Sequence, residues 1–238
     1  MPYSKISNPR VRAEYEYVLD SLNHVRPKCL LDFRNRALLA TSYGAGIPIE
    51  KLLKARISDI TGIELAMSKQ SERSVTFRNA LKIDGRCYVL MDSPVRRISL
   101  WVKKLKTSIS TTNADIFLFP ATKSSSEMKL KNSAICSEQA RNVFKFYFGK
   151  NRFRDFRHLR IAGTAYLLSI DIHPRAVRRV AGYSHIRSIK AIADSYGIEI
   201  SRTLDFPPVC GVPAYFNECG ASFSKLVNVD SIGSLSAQ

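Results

Sequence analysis

Apolar positions follow a helical period over most of the 238-residue chain. Asn8-Pro9 reads as a cap followed by proline at the first helical position, opening a helix with Val11, Tyr15, Val18 and Leu22 on one side. The stretch from His24 to Pro27 ends it. Leu30, Leu31, Leu38 and Leu39 mark a second helix that stops at Tyr43-Gly44, and a third begins at Pro48 with Ile49, Leu52 and Leu53. At Ser74 the period changes to two: SVTFRNALK alternates, Asp84-Gly85 supplies a turn, and CYVLM completes a predicted β-hairpin over 74–91. Helices then return. One runs from Asp92 through Trp101 and Leu105. STTNAD reads as loop, FLFP at 117–120 as a short buried segment and 125–132 as exposed loop, before Ser137-Glu138 caps a helix through Val143, Phe144 and Phe148 to Gly149. Three further helices are predicted over 158–169, 174–181 and 184–196, with Gly182 and Gly197 closing the last two.

This order predicts a mainly α domain with a small antiparallel β-hairpin over 1–204, followed by a tail or docking segment over 205–238 that is rich in Ser and Gly at its end. Hydrophobic residues at 45% and charged residues at 24% are ordinary for a globular chain, but a formal charge of +17 is not, and it points to a polyanionic partner. Residues 150–190 hold ten Lys or Arg against two Asp, so about half of the excess lies in a sixth of the chain. That clustering favours nucleic acid over a membrane surface. The five cysteines are scattered singly and odd in number, which argues against a disulfide framework or a zinc site, and no metal or cofactor is expected. No leader and no apolar run of about 18 residues is visible, so a cytoplasmic, nucleoid-associated protein is expected.

RDFRHLRIAGTAYLL, at 154–168, places Arg154, Arg157, His158 and Arg160 at the mouth of an apolar helix. A helix start ordinarily takes a small polar cap, and its positive end suits carboxylates better than guanidinium groups. The cluster therefore points to a bound anion, and phosphate is the natural one.

The order of helices, a small hairpin, more helices, an RxxRH helix, a Gly-aromatic-Ser turn and a last helix ending in tyrosine resembles the catalytic domain of the tyrosine recombinases, the phage-integrase family. The resemblance covers about residues 8–200. RDFRHLRIAGTAYLLSIDIHPRAVRRVAGYSHIRSI looks like that family's His-x-Leu-Arg-His helix and Leu-Gly-His-Ser turn, and GIPIEKLLKARISDI looks like the segment with its first arginine. The resemblance implies duplex DNA as partner and a tyrosine that attacks a phosphodiester, with arginines at the phosphate, a lysine for the leaving oxygen and imidazoles for protons.

Carried over residue by residue, Arg157 takes the second phosphate-clamping arginine, with a surface cap as its alternative, and Lys82 the general-acid lysine, with Arg86 as its rival. Arg154 stands where the family has histidine, and Pro48 where it has its first arginine; Arg34, Arg36 and Arg56 lie out of register. Tyr183 replaces a histidine or tryptophan, with His185 two residues on. The nucleophile position falls on Ile192, and Tyr196 lies one helical turn beyond it, as a displaced nucleophile or a core tyrosine. Arg175, Arg178, Arg179 and Arg187 flank two short helices suited to reading a groove.

The expected protein is a DNA binder on a degenerate recombinase domain, a regulator or accessory factor in recombination or integration of a mobile element, rather than an enzyme. The separate N-terminal core-binding domain of many recombinases is expected to be absent. Self-association through the C-terminal segment, or pairing with an active recombinase, is a further expectation. Two alternatives stand beside this reading: an active recombinase using Tyr196, Arg157, Lys82 and Arg154, and an unrelated regulator with a helix-turn-helix at 174–196.

Overall fold

The computed structural model describes residues 6–24, 26–66, 74–89, 92–108, 116–122, 130–149, 152–170 and 174–200. The tail over 205–238 lies outside them. Among the described residues eight α-helices follow the periods read above: α1 (Pro9–His24), α2 (Leu30–Gly44), the single turn α3 (Ile49–Leu52), α4 (Asp92–Ser108), α5 (Ser137–Phe148), α6 (Phe156–Ser169), α7 (Pro174–Val180) and α8 (Ile186–Tyr196). Asn8 Oδ1 accepts from the Val11 N–H at 3.1 Å, which closes the open end of α1. Asp32 Oδ2 accepts from the N–H groups of Lys28 and Cys29 at 2.8 and 3.1 Å and does the same before α2. At α5 the cap is Cys136, one residue before the expected Ser137, with its sulfur accepting from Gln139.

Two corrections concern strands. The predicted hairpin supplies the central and one edge strand of a three-stranded antiparallel sheet, in which β1 (Ile60–Ala66) pairs with β2 (Ser74–Ile83) and β2 with β3 (Arg86–Val89). TGIELA carries little alternation, so its strand character comes from pairing with β2 and not from its own pattern. Likewise the predicted exposed loop at 125–132 gives way from Leu130 to β5 (Leu130–Ala134), which pairs with β4 (Pro120–Thr122). The hairpin turn itself is as expected: Asp84 and Gly85 have φ of 49° and 71° between the paired Ile83 and Arg86, the backbone of a two-residue turn.

The core forms around α6. Residues 162–169 are all buried, and the helix packs on α1, α2, α7 and α8. Tyr15 stacks on Tyr166 at 4.7 Å between centroids, and the Phe144, Phe148, Phe153 and Phe156 rings fill the side toward α5. Trp101 of α4 is fully buried, and its indole N–H donates to the Leu118 carbonyl at 2.6 Å, so the FLFP segment is buried as expected. Among the described residues, no helix is long and apolar enough to cross a membrane.

Gly163 sets the closest approach in this core. A Cβ there would lie 1.8 Å from the Tyr43 carbonyl oxygen, so α2 and α6 touch backbone to backbone. Gly163→Ala must push the two helices apart and is expected to cost about 3 kcal/mol or more in unfolding free energy, measured by urea denaturation.

Candidate nucleic-acid interface

The start of α6 is capped after all. Asp155 Oδ1 accepts from the His158 N–H at 2.8 Å, so a carboxylate occupies the helix's positive end amid the basic residues. This alters the reading of the cluster: the arginines are not needed to finish the helix, and each goes its own way. Arg154 and Arg157 are exposed, and among the described residues neither has a partner. His158 is half-buried, its ring edge-on to Phe153 at 5.3 Å, with Nδ1 buried and without a hydrogen bond.

Arg160 turns inward. Its Nε donates to the Gly46 carbonyl and its Nη2 to the Ala181 carbonyl at 3.0 Å, while the guanidinium lies 4.1 Å from the centroid of the Tyr183 ring. Thr164, four residues on, gives its one proton to the Arg160 carbonyl at 2.9 Å. In the 3.1 Å contact between Thr164 Oγ1 and the Tyr183 hydroxyl, the phenol is therefore the donor. The Tyr183 proton is thus directed to Thr164, inside the protein.

Two more contacts bring the hairpin to the same place. Arg86 Nη1 donates to the Gly182 carbonyl at 3.1 Å, and Lys51 Nζ pairs with Asp84 Oδ2 at 3.1 Å. A Cβ on Gly182 would meet the Tyr88 ring of β3 at 2.4 Å, so only glycine lets that turn sit against the sheet. The α2–α3 loop, the β2–β3 turn, the start of α6 and the α7–α8 turn thus converge on one face. Lys82 is exposed on β2, two residues from the turn. Arg178 donates to the Ser184 carbonyl at 3.0 Å, and Arg175, His185 and Arg187 are exposed on or beside α7 and α8. Arg179 lies on α7, with its side chain outside the described residues.

The fold has solved counterparts. XerH site-specific recombinase, in a post-cleavage complex with palindromic difH substrate, matches 81% of this chain over 50% of its own length, at 15% identity and a TM-score of 0.53. XerA recombinase matches 82% over 64% of its own length, at 14% identity and a TM-score of 0.51. The fold is that of a tyrosine-recombinase catalytic domain. The chain spans between half and two thirds of the recombinases it matches. No family profile matches it, and no curated protein does. The three-stranded sheet and the helices around it belong to the recombinase fold, with α7 and α8 of residues 174–196 part of it.

Within that fold, Pro48 precedes α3 on the loop that Arg160 holds, and offers no cation. Arg34, one candidate to replace it, is buried and committed to the Pro120 carbonyl at 2.7 Å; burial pulls its guanidinium down to about 10. Tyr196 ends α8, about 15 Å along the helix axis from Ile186. It is 5% exposed, and its hydroxyl donates to Glu14 Oε2 of α1 at 2.9 Å. Arg10 lies over its ring at 4.2 Å and also donates to the Ser195 carbonyl, while Asn8 Nδ2 donates to the Tyr196 carbonyl at 2.7 Å. Burial, then the Glu14 carboxylate, pushes the phenol well above its ordinary range.

Tyr196→Phe removes the hydroxyl and leaves the Glu14 carboxylate, itself 6% exposed, one donor short, at an expected cost of about 1–3 kcal/mol. A phenol held neutral in the folded state stabilises it fully below its unfolded pKa of about 10, and that stability is lost as pH rises through the higher folded value. The wild-type advantage over Tyr196→Phe is therefore expected to hold at neutral pH and to shrink above about pH 10, in paired urea melts across the alkaline range.

Proposed function

We propose that this chain binds duplex DNA through the basic face around Arg157, holds a backbone phosphate there without cutting it, and serves as a regulator or accessory factor in DNA recombination or integration of a mobile element, alongside an active recombinase. The position of Tyr196 carries this reading. A nucleophile must bring its oxygen to phosphorus, and this phenol is buried against α1, donates its hydrogen bond to Glu14 and has a raised pKa, which leaves little phenolate near neutral pH. Pro48, which the resemblance sets at the first-arginine position, offers no cation, and the proton of Tyr183 is directed to Thr164. Losing one preorganised donor to a developing oxyanion costs about 10² to 10³ in rate, so each of these departures counts against cleavage.

Binding asks for less than cleavage. Arg154 and Arg157 are exposed beside a capped helix start, Lys82 is exposed on β2, and Arg175 and Arg187 extend the same charge along α7 and α8, with His185 exposed beside them. XerH, with the same fold, is solved on its difH substrate before and after cleavage. Contacts of this kind are mostly to phosphate and steeply dependent on salt. The work of such a protein lies in the cytoplasm, on the nucleoid.

The deciding experiment incubates the protein with nicked duplexes from its own genomic neighbourhood and looks for a denaturant-stable adduct. A retarded complex on intact duplex with no adduct is expected, whereas an adduct that disappears in Tyr196→Phe would overturn the reading in favour of an active recombinase. Arg157→Ala is expected to weaken duplex binding by about 1.5–3 kcal/mol through loss of a charge-assisted phosphate contact, read from retardation at fixed salt. Equal binding by wild type and variant would place the phosphate site elsewhere.

A further inference from the structure

Away from the converging loops, the outward side of α4 carries a second concentration of positive charge. The helix holds five Lys or Arg against one Asp. Its apolar side, with Ile98, Trp101, Val102 and Leu105, is buried in the core. Arg96, Leu100 and Lys103 follow one another at steps of four and three, which puts them on one stripe of the opposite side, and Lys104 and Lys106 flank it. All of these are exposed, Leu100 at 47%. Arg97 turns to Asn23 of α1 and is not part of the stripe.

The cations of this stripe are not neutralised by the fold. Among the described residues, none of Arg96, Lys103 and Lys106 pairs with a carboxylate. Lys104 Nζ lies 5.7 Å from the centroid of the Phe33 ring, which sets this end of α4 beside the first turn of α2. The segment leading into α2 adds the exposed Arg26 and Lys28, and the carboxylate there, Asp32, has Oδ2 on the N–H groups of Lys28 and Cys29. Phe33 lies about 16 Å back along α2 from Gly44, the end from which the Arg160-bound loop departs, so this charge is separate from the face around Arg157.

We propose that this side of α4 is a second duplex-binding surface, indifferent to sequence, on which the chain holds a DNA segment other than the one at Arg157. The row of cations from Arg96 to Lys106 runs about 15 Å along the helix and suits a rod that carries a charge every ~1.7 Å of its axis. Lysines meet phosphates as point charges and lack the planar fork that reads a base edge, hence the indifference to sequence. Other acidic partners fit less well. A helix that lies on a membrane inserts its apolar side, and that side of α4 is in the core. The centre of a protein interface favours aromatic side chains over lysine, and among the described residues Leu100 is the large apolar side chain that α4 exposes. The surface stands by itself, whereas the joining of two segments by one chain rests on the DNA reading of the Arg157 face.

The test immobilises one duplex, binds the full chain to it and measures capture of a second, labelled duplex of unrelated sequence. Wild type is expected to capture it, and Arg96→Ser, Lys103→Ser and Lys106→Ser combined are expected to lower that capture at least about tenfold with an unchanged urea melt. Lys103→Ser alone is expected to flatten the slope of log affinity for the second duplex against log salt by about 0.9, the share of one phosphate contact, so the test holds should the triple variant fail to fold. A wild type that captures no second duplex although Arg157→Ala weakens its hold on the first, or a triple variant that captures as much as wild type, would overturn the surface. So would polyglutamate or phosphatidylserine vesicles bound through the same three residues more tightly than duplex, in favour of an acidic protein or a membrane. Retention on the first duplex that Arg157→Ala leaves unchanged and the triple variant abolishes would count against the Arg157 face and support α4, so the two readings fail separately.

Discussion

Arg160 holds the site-bearing loops in place. Two backbone carbonyls, one on the α2–α3 loop and one at the end of α7, lie where no helix or sheet partner reaches them, and one guanidinium satisfies both. Arginine suits the task because its donors are fixed in a plane and its charge is permanent, whereas lysine would reach one carbonyl and lose the stacking on Tyr183. Thr164 extends the tie by fixing which way the Tyr183 hydroxyl points. The hairpin joins through Arg86 to the Gly182 carbonyl. Four segments far apart in sequence therefore share one geometry, set from a side chain on the most buried helix of the domain.

The same helix start shows how scaffold and surface divide the work within a few residues. Asp155 satisfies the exposed N–H end and adds the negative charge that this end favours. Arg160 builds the interior. Arg154 and Arg157 are left over from both tasks, and long cationic side chains kept exposed on a fixed helix start are well placed to meet a phosphate.

What the sequence revealed follows physical rules about local and distant contacts. The helices were legible because their apolar stripes and caps are local, and the two-residue turn at Asp84-Gly85 was legible from its chemistry. β1 was not, since its strand character comes from pairing with β2, and the same holds for β5 against β4. Asp155 was legible and overlooked: an aspartate directly before an apolar helix is a cap signal, hidden here by the arginines around it. The inward turn of Arg160 left only one trace, Thr164 one helical turn on, and its partners Gly46 and Ala181 lie too far away in sequence for any local pattern to name them. Glu14 falls on the apolar stripe of α1, between Val11 and Val18, but no local pattern names Tyr196, its partner 182 residues away.

Helical geometry then explains why Tyr196 belongs to the core. Ile189, Ile192, Ala193 and Tyr196 are the buried residues of α8, and steps of three and four keep them on one stripe of a helix that packs on α6, with Tyr196 reaching α1. A tyrosine displaced by one turn from the position of Ile192 stays on that stripe, so its ring must be buried and its hydroxyl must find a partner there. Glu14 is that partner, and Arg10 and Asn8 add bonds from α1 to the last turn of α8. Anchoring and attack compete for the same atom: to reach a phosphate the hydroxyl must leave Glu14, which takes away the donor at Oε2 of a buried carboxylate whose other oxygen pairs with Arg10. The more firmly this phenol holds α8 to α1, the less it is available as a nucleophile.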